Sequence, residues 1–364
     1  MALSVGNTSN ANKEKRIHGN CLGDSYSILS NSTTSTKNSI CGDSSGSVVY
    51  ITSSFTSSGG SVDYLYKSVN KGSNWSALTN AGQLTWTKVA CSSNGSVIYA
   101  TYYKSGSNIK KSTDGGSSWS TISLGLLNVS INKLACSSDG NMIYLAFYSG
   151  TTTLSAGPLY YSEDAGSSWT NSGVASHYYN SLVCPKSGRY AYLTYDGVSG
   201  TPTLENRIIK TTNWGASWGT VQYTNNFNVI SANAGDSGLD GQNVIGITTG
   251  GTVIKSVNEG TSFSPISGAP EGDYYGGFSV SQDGARLLYM GKDSLTTGPM
   301  FNSSVDGGNT WVSKYKANGA DNISTRAVYV PENNSSFGII SPAYVWSNGT
   351  VSNSYPYLYK TNYI

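Results

Sequence analysis

One eight-residue pattern recurs six times along the chain and constrains its fold more than any other feature. The pattern is Ser/Thr-x-Asp/Asn-x-Gly-x-x-Trp/Phe, and its copies begin at Ser68, Ser112, Ser162, Thr211, Ser256 and Ser304. Their final aromatic residues are spaced 44, 50, 49, 45 and 48 residues apart. A regular period of this length is typical of stacked supersecondary units. Gly, Ser, Thr, Asn and Tyr dominate the composition, which predicts short strands joined by tight turns, so the repeating unit is all-β.

The chemistry of the pattern predicts a tight turn. In the copy that begins at Ser112, the carboxylate of Asp114 can accept hydrogen bonds from backbone N–H groups two residues further on. Gly116 can adopt the positive φ angle that such a turn requires. Trp119 then begins the next strand and can bury a large apolar surface. The pattern therefore predicts a structural turn rather than a catalytic site.

The pattern resembles the Asp-box, or BNR repeat, of sialidases, sortilin-like receptors, a photosystem II assembly factor and several glycoside hydrolases. The copies that begin at Ser112, Ser162 and Ser304 match it fully, whereas Asn replaces Asp in the other three. The resemblance covers most of the chain and implies a β-propeller whose boxes lie on the face away from any active site. The residues that it assigns to these turns are Asn70, Trp75, Asp114, Trp119, Asp164, Trp169, Asn213, Trp218, Asn258, Phe263, Asp306 and Trp311.

We predict one all-β domain, a single β-propeller over residues 25–364, preceded by a polar tail over residues 1–24. The preferred count is seven four-stranded blades, and six is the alternative. The predicted strands of the second unit, for example, span residues 86–92, 96–102, 108–113 and 119–123. The last unit lacks an outer strand, which the apolar segment Tyr26-Ser27-Ile28-Leu29 can supply. Both chain ends would then share one blade and leave no open sheet edge.

Composition argues against several classes of partner and site. Charged residues make up only 12% of the 364 residues and the net charge is +2, which argues against a nucleic-acid partner. No apolar run has the length of a transmembrane helix. Residues 1–20 lack the apolar region of a secretory signal, so we expect a cytoplasmic or virion-associated protein. We expect no cofactor and no metal, because two histidines without a Cys-x-x-Cys pair do not make a zinc site.

Four cysteines occupy the same position of successive units, where later units have Ala or Val. These cysteines are Cys41, Cys91, Cys136 and Cys184. Equivalent positions in successive blades should lie too far apart for disulfide geometry. We therefore predict buried thiols at this position.

We expect any function on the face opposite the repeated turns. That face carries the longer links between strands and between units, and loops on a rigid scaffold commonly bind ligands. Aromatic side chains in these links suit contact with a protein or a glycan. The candidate ligand-binding residues are His177, Tyr178, Tyr179, Tyr223, Tyr274, Tyr275, Arg326 and Trp346. The alternative is that the aromatic residues fill the space between neighbouring sheets.

The favoured function is a non-catalytic binding or structural module that presents loops to a protein or a glycan. A sialidase is disfavoured because Arg189 and Arg286 follow short turns on the wrong face, which leaves too few arginines to grip a carboxylate. A different glycoside hydrolase is one alternative and needs two carboxylates at the mouth of the propeller. Its candidate acids are Glu205, Glu271 and Asp273. An assembly factor for a membrane protein complex is another alternative.

Overall fold

The computed structural model of the chain describes most of the repeats. The described residues are 25–28, 36–54, 62–103, 107–125, 129–149, 155–196, 207–221, 227–233, 241, 243–248, 250–272, 278–281, 283–291, 300–315, 322–332, 337–347, 350–352 and 357–362. They form twenty-nine β-strands and one short 3-10 helix, Thr79–Ala81. Within these stretches no helix has the length and apolar character that crossing a membrane demands.

After β1 (Ser25–Ile28), consecutive strands pair antiparallel into six four-stranded sheets, which are named blades 1 to 6 in chain order. Within each blade the strands are given from the inner strand to the outer strand. Blade 1 contains β2 (Thr36–Gly42), β3 (Val49–Ser54), β4 (Leu65–Ser68) and β5 (Ser76–Ala77). Blade 2 contains β6 (Thr85–Cys91), β7 (Ile98–Tyr103), β8 (Ser107–Ser112) and β9 (Ser120–Ile122). Blade 3 contains β10 (Val129–Cys136), β11 (Ile143–Ser149), β12 (Ser155–Ser162) and β13 (Thr170–Asn171).

The other three blades repeat the same order. Blade 4 contains β14 (Tyr178–Val183), β15 (Ala191–Asp196), β16 (Arg207–Thr211) and β17 (Gly219–Val221). Blade 5 contains β18 (Phe227–Asn233), β19 (Asn243–Thr248), β20 (Val253–Ser256) and β21 (Ser264–Pro265). Blade 6 contains β22 (Phe278–Val280), β23 (Leu287–Gly291), β24 (Met300–Ser304) and β25 (Val312–Tyr315). The strands predicted for the second unit lie within about two residues of those observed, the usual uncertainty of strand ends.

Both chain ends meet in a further sheet, named the closing sheet. It contains β26 (Asn322–Tyr329), β27 (Phe337–Ser347), β28 (Thr350–Ser352) and β29 (Tyr357–Asn362). β1 pairs antiparallel with β29, with Ser27 opposite Leu358, so the predicted sharing of one sheet by the two ends is confirmed. In the described chain the regular four-stranded blades therefore number six, the alternative count. The preferred count of seven requires the five-stranded closing sheet to be taken as a blade.

The sheets form a closed ring, because the closing sheet contacts both of its neighbours. The Tyr329 hydroxyl donates to the Asp43 carbonyl of blade 1 over 2.8 Å. The backbone N–H of Val330 donates to Ser279 Oγ of blade 6 over 3.0 Å. A closed ring of antiparallel sheets is the β-propeller that the repeats predict.

A buried tyrosine on the second strand ties each of four blades to the next blade. The hydroxyls of Tyr50, Tyr99, Tyr144 and Tyr192 donate to the carbonyls of Gly95, Gly140, Gly188 and Gly241 over 2.7 to 2.9 Å. All four side chains are fully buried. A buried hydroxyl needs such a partner, since an unpaired one is costly. These bonds were not predicted, although the recurrence of a tyrosine in the second strand was the signal that could have identified them.

Candidate functional site

All six repeated turns share one hydrogen-bond pattern, which the copy at Ser112 illustrates. The Ser112 hydroxyl donates to Asp114 Oδ1 over 2.8 Å and accepts the N–H of Gly116 over 2.9 Å. Asp114 Oδ1 also accepts the N–H of Ser118 over 2.8 Å. The hydrogen bonds from Ser118 lower the pKa of Asp114 to about 2. The carboxylate is therefore engaged in holding the turn and is not available as a catalytic acid.

The predicted cap by Asp114 of an N–H group two residues on is wrong. The carboxylate bonds four residues on, because two consecutive residues with positive φ return the chain toward it. Gly115 and Gly116 have φ angles of 67° and 93°. The residue at the Gly115 position has positive φ in every copy, and four of these residues are not glycine: Lys71, Ala165, Trp214 and Glu259. This position was not predicted, because the side chains that occupy it have nothing in common.

A lysine of the preceding blade also binds the repeated turn in three of the interfaces. The ammonium groups of Lys67, Lys111 and Lys210 donate to the carbonyls of Gly115, Ala165 and Glu259 over 2.7 to 2.9 Å. Within a blade, the N–H of Gly115 donates to Ser96 O in the turn after the inner strand. The repeated turns and the short turns therefore form one face, named the turn face, whose polar groups hold the blades together.

Arg189 lies on the turn face, as predicted. Its Nε donates to Thr212 O over 2.9 Å, and its guanidinium lies 5.8 Å from the centre of the Trp214 ring. Several apolar side chains of this face are exposed, namely Val69, Trp214, Val257 and Val305. Each belongs to a different blade, and single exposed apolar residues are ordinary on a protein surface.

Aromatic residues gather at the opposite end of blades 3 and 4. This group, named the rim cluster, consists of Tyr148, His177, Tyr178 and Tyr195. The His177 ring stacks on Tyr195 at 3.8 Å with an interplanar angle of 20°. Tyr178 lies 6.2 Å from Tyr148 of blade 3, measured between ring centres. Two backbone hydrogen bonds of 3.2 Å join His177 to Gly157 of blade 3, so the cluster bridges the two blades.

The two predicted tyrosines after His177 have different environments. Tyr179 is fully buried, and its hydroxyl donates to Ala175 O over 3.2 Å. Burial and the neighbouring Tyr195 raise its pKa. Tyr179 therefore fills the space between blades, which is the structural alternative. Tyr178 and His177 are only half-buried and keep surface available for a ligand.

The remaining predicted site residues stay predictions, because most of them lie outside the described residues. Tyr223, Tyr274, Tyr275, Glu205 and Asp273 lie outside the described residues. The backbones of Arg326 and Trp346 lie in the paired strands β26 and β27 of the closing sheet. Glu271 is exposed in the link before blade 6. A pair of catalytic carboxylates therefore stays a prediction.

Three cysteines line a small cavity at the turn-face end of the inner strands. The cavity measures about 40 Å³, and Cys91, Cys136, Cys184, Lys186 and Glu332 are among its lining residues. In the described chain, Cys184 and the other three repeat cysteines are thiols, not disulfides, and they are partly buried. A hydrogen bond with Cys41 and burial raise the pKa of Cys91, and burial raises that of Cys136. Such thiols are protonated at neutral pH and are poor nucleophiles. No cluster that could hold a metal ion occurs among the described side chains.

Comparisons with known proteins support the fold. No family model and no curated protein matches the chain. Among solved structures, YCF48 bound to D1 peptide is similar, with a TM-score of 0.61 and 15% identity over 93% of this chain and 96% of that chain. YCF48 from Cyanidioschyzon merolae has a TM-score of 0.59 and 14% identity over 93% and 98% of the two chains. An ancestral GH74 enzyme has a TM-score of 0.58 and 18% identity over 93% of this chain and 47% of that longer chain. At these identities the similarity shows the β-propeller fold alone.

Proposed function

We propose that the protein is a non-catalytic binding module that recognises a peptide segment of a protein partner at the rim cluster. The observation that carries this proposal is the His177–Tyr195 stack, which holds a half-buried imidazole at the same end of blades 3 and 4 as the half-buried Tyr178. Aromatic side chains held in place give a large contact area at a small cost in conformational entropy. Clustered aromatic residues of this kind commonly dominate the affinity of protein interfaces.

On the turn face, several polar groups already make bonds within and between blades, as Asp114 and Lys111 do. The structural similarity to YCF48 bound to D1 peptide is consistent with peptide recognition by a propeller of this size. A glycan is the alternative partner, because aromatic rings also suit contact with sugars.

The proposal is tested with peptides selected on the protein itself. A phage-displayed library of random peptides is selected on the immobilised chain, and the enriched peptide is titrated by fluorescence anisotropy. Tyr178→Ala should weaken binding about tenfold or more, as expected for a hot-spot aromatic residue. Trp214→Ala on the turn face is the matched control and should leave the affinity unchanged. Equal affinity for Tyr178→Ala and the unmodified protein, or enrichment of no peptide, would contradict the proposal.

We also propose two assignments for the fold. The six turns are Asp-boxes that share one hydrogen-bond pattern, and Asn is accepted at Asn70, Asn213 and Asn258 because its Oδ1 makes the same bond as that of Asp114. The closing sheet acts as a seventh blade, since it contacts blades 1 and 6 as the regular blades contact each other. An experimental structure would test both, through the turn geometry and the ring of inner strands.

A further inference from the structure

Blade 4 departs from the other blades at two positions that contact each other. The backbone N–H of Trp214 in the repeated turn donates to Arg189 O in the short turn over 3.0 Å. Four other blades make the same bond between the equivalent residues: Lys71 to Ser47, Gly115 to Ser96, Ala165 to Asn141 and Gly307 to Ala285. Among these described pairs, an aromatic donor residue with a cationic acceptor residue occurs in blade 4 alone.

Trp214 has a backbone conformation that is unusual for its side chain. Its φ angle is 57°, in the left-handed region that favours glycine and that a bulky residue rarely adopts. The side chain is 47% exposed, so much of the ring stays outside the core. A single exposed apolar residue is ordinary on a surface. An exposed tryptophan in a disfavoured conformation is more than that, because such strain is a reason to infer a functional constraint.

The Arg189 guanidinium lies beside this ring and is held in place. Its central carbon is 5.8 Å from the centre of the Trp214 ring and 5.4 Å from the centre of the Tyr190 ring, distances that permit cation–π attraction. Its Nε donates to Thr212 O over 2.9 Å. Arg189 is exposed, and its two Nη groups donate no hydrogen bond within the described part of the chain. The Nη groups therefore remain available to an anion.

We propose that Arg189 and Trp214 form a binding site for an acidic saccharide on the turn face. The planar guanidinium matches the two oxygens of a carboxylate and can bind both of them. The exposed indole beside it is a flat apolar platform on which one face of a sugar ring can stack. The site lies in the turns of blade 4, so it depends neither on the rim cluster nor on the proposed peptide.

The surroundings of Trp214 favour a saccharide over a protein partner. A stable protein interface has a larger apolar centre than one ring provides. The exposed neighbours of Trp214 in the turn are Thr212, Ala216 and Ser217. Hydroxyl groups such as those of Thr212 and Ser217 both donate and accept hydrogen bonds, which suits the hydroxyls of a sugar.

The test is a calorimetric titration of the full chain with trigalacturonic acid at neutral pH, where its carboxylates are ionised. Its methyl ester, which has the same sugar rings without the charge, is titrated in parallel. We expect the acid to bind and the ester to bind about tenfold more weakly or not at all, because the ester cannot accept charge-assisted bonds from Arg189. Equal affinity for acid and ester, or no heat with the acid, would overturn the proposal.

Two variants introduce residue types that other blades have at the same positions. Arg189→Ser introduces the residue type of Ser47, and Trp214→Gly introduces that of Gly115, so both variants should fold. Each should weaken binding of trigalacturonic acid about tenfold or more. Lys71→Gly is the matched control, because it makes the equivalent change in blade 1 and also removes a cation, and its affinity should be unchanged. Unchanged affinity in Arg189→Ser or in Trp214→Gly would contradict the proposal.

A structural role for the ring and a peptide ligand would each give a different result. Trp214→Gly should have a Tm close to that of the unmodified protein, because glycine adopts this backbone conformation without strain. A clear fall in Tm would show that the ring serves the fold, against the proposal. An acetylated and amidated triglutamate peptide has as many carboxylates as trigalacturonic acid but no sugar rings, and it should bind more weakly. Tighter binding of this peptide would overturn the assignment to a saccharide.

Discussion

Tyr144→Phe tests whether the tyrosine hydroxyls hold neighbouring blades together. The Tyr144 hydroxyl of blade 3 donates to Gly188 O of blade 4 over 2.8 Å, and both residues are buried. The substitution keeps the ring and its edge-to-face contact with Trp218 at 5.8 Å between ring centres. It removes only the donor, so the Gly188 carbonyl remains buried without this bond.

The expected magnitude follows from the cost of an unsatisfied buried acceptor. Leaving one such group without its partner costs about 1–3 kcal/mol. An unfolding entropy of about 2.1 cal/mol/K per residue corresponds to roughly 0.8 kcal/mol/K for this chain, so Tm should fall by about 1–4 °C. Guanidinium denaturation measured by tryptophan fluorescence should give a lower midpoint with an unchanged slope.

The matched control is Tyr160→Phe in the same blade. The Tyr160 ring packs edge to face on Phe147 at 5.7 Å between ring centres, and its hydroxyl makes no hydrogen bond to a described residue. Tyr160→Phe should therefore change the midpoint little. An unchanged midpoint for Tyr144→Phe, or an equal loss for both variants, would refute the role assigned to the hydroxyl bonds.

Three further predictions concern two residues of the repeated turns and Lys133 of the inner strand β10. Gly166→Ala should lower the free energy of unfolding more than Gly173→Ala, measured by denaturant titration. Both glycines have positive φ, but a new Cβ at Gly166 would lie 2.7 Å from Ile122 Cδ1, whereas nothing lies within 4 Å of a new Cβ at Gly173. An equal loss of unfolding free energy in the two variants would contradict a role for this close contact. Asp114, whose folded pKa is lowered to about 2 by Ser118, should contribute stability that is present above its unfolded pKa and lost as pH falls toward 2. Asp114→Asn introduces the residue type that stands at Asn70, and this variant should lose less stability than the unmodified protein as the pH falls. An acid unfolding transition identical to that of the unmodified protein would contradict this. Burial lowers the pKa of Lys133 to about 7, so Lys133 binds a proton more weakly in the folded state than in the unfolded state. The free energy of unfolding should therefore rise with pH between about 7 and 10, by at most about 1.4 kcal/mol per pH unit. Lys133→Met should flatten that rise in the pH series of midpoints, and a rise of equal slope would count against the lowered pKa.

The parts of the fold that were predicted from sequence are those fixed by local chemistry. The six turns and the strands beside them follow from patterns within short segments. The pairing of β1 with β29 was predicted differently, from the outer strand that the last repeat lacks. The bonds between blades were missed, because a donor such as Lys111 and its acceptor Ala165 are separated by 54 residues and meet only through the register of whole sheets.

The candidate site was predicted only in part. His177 and Tyr178 were selected from their position in a link between blades, and the structure places them at a rim between two blades. Tyr195, which stacks on His177, was missed because it is a strand residue that reaches the site through its pairing with Tyr179. Tyr179 was assigned to binding because the alternation of side chains along β14 does not reveal which of them point into the space between blades. The location of a side chain between blades depends on packing that a single segment does not encode.

The central claim is that the turn face holds the ring together and that peptide recognition belongs to the opposite rim. Hydrogen–deuterium exchange of the full chain, with and without the selected peptide, tests it most directly. We expect protection on binding in segments 145–149 and 174–183, with no change in the repeated turns at 112–119 and 162–169. Protection confined to the repeated turns, with the rim segments unchanged, would contradict the account.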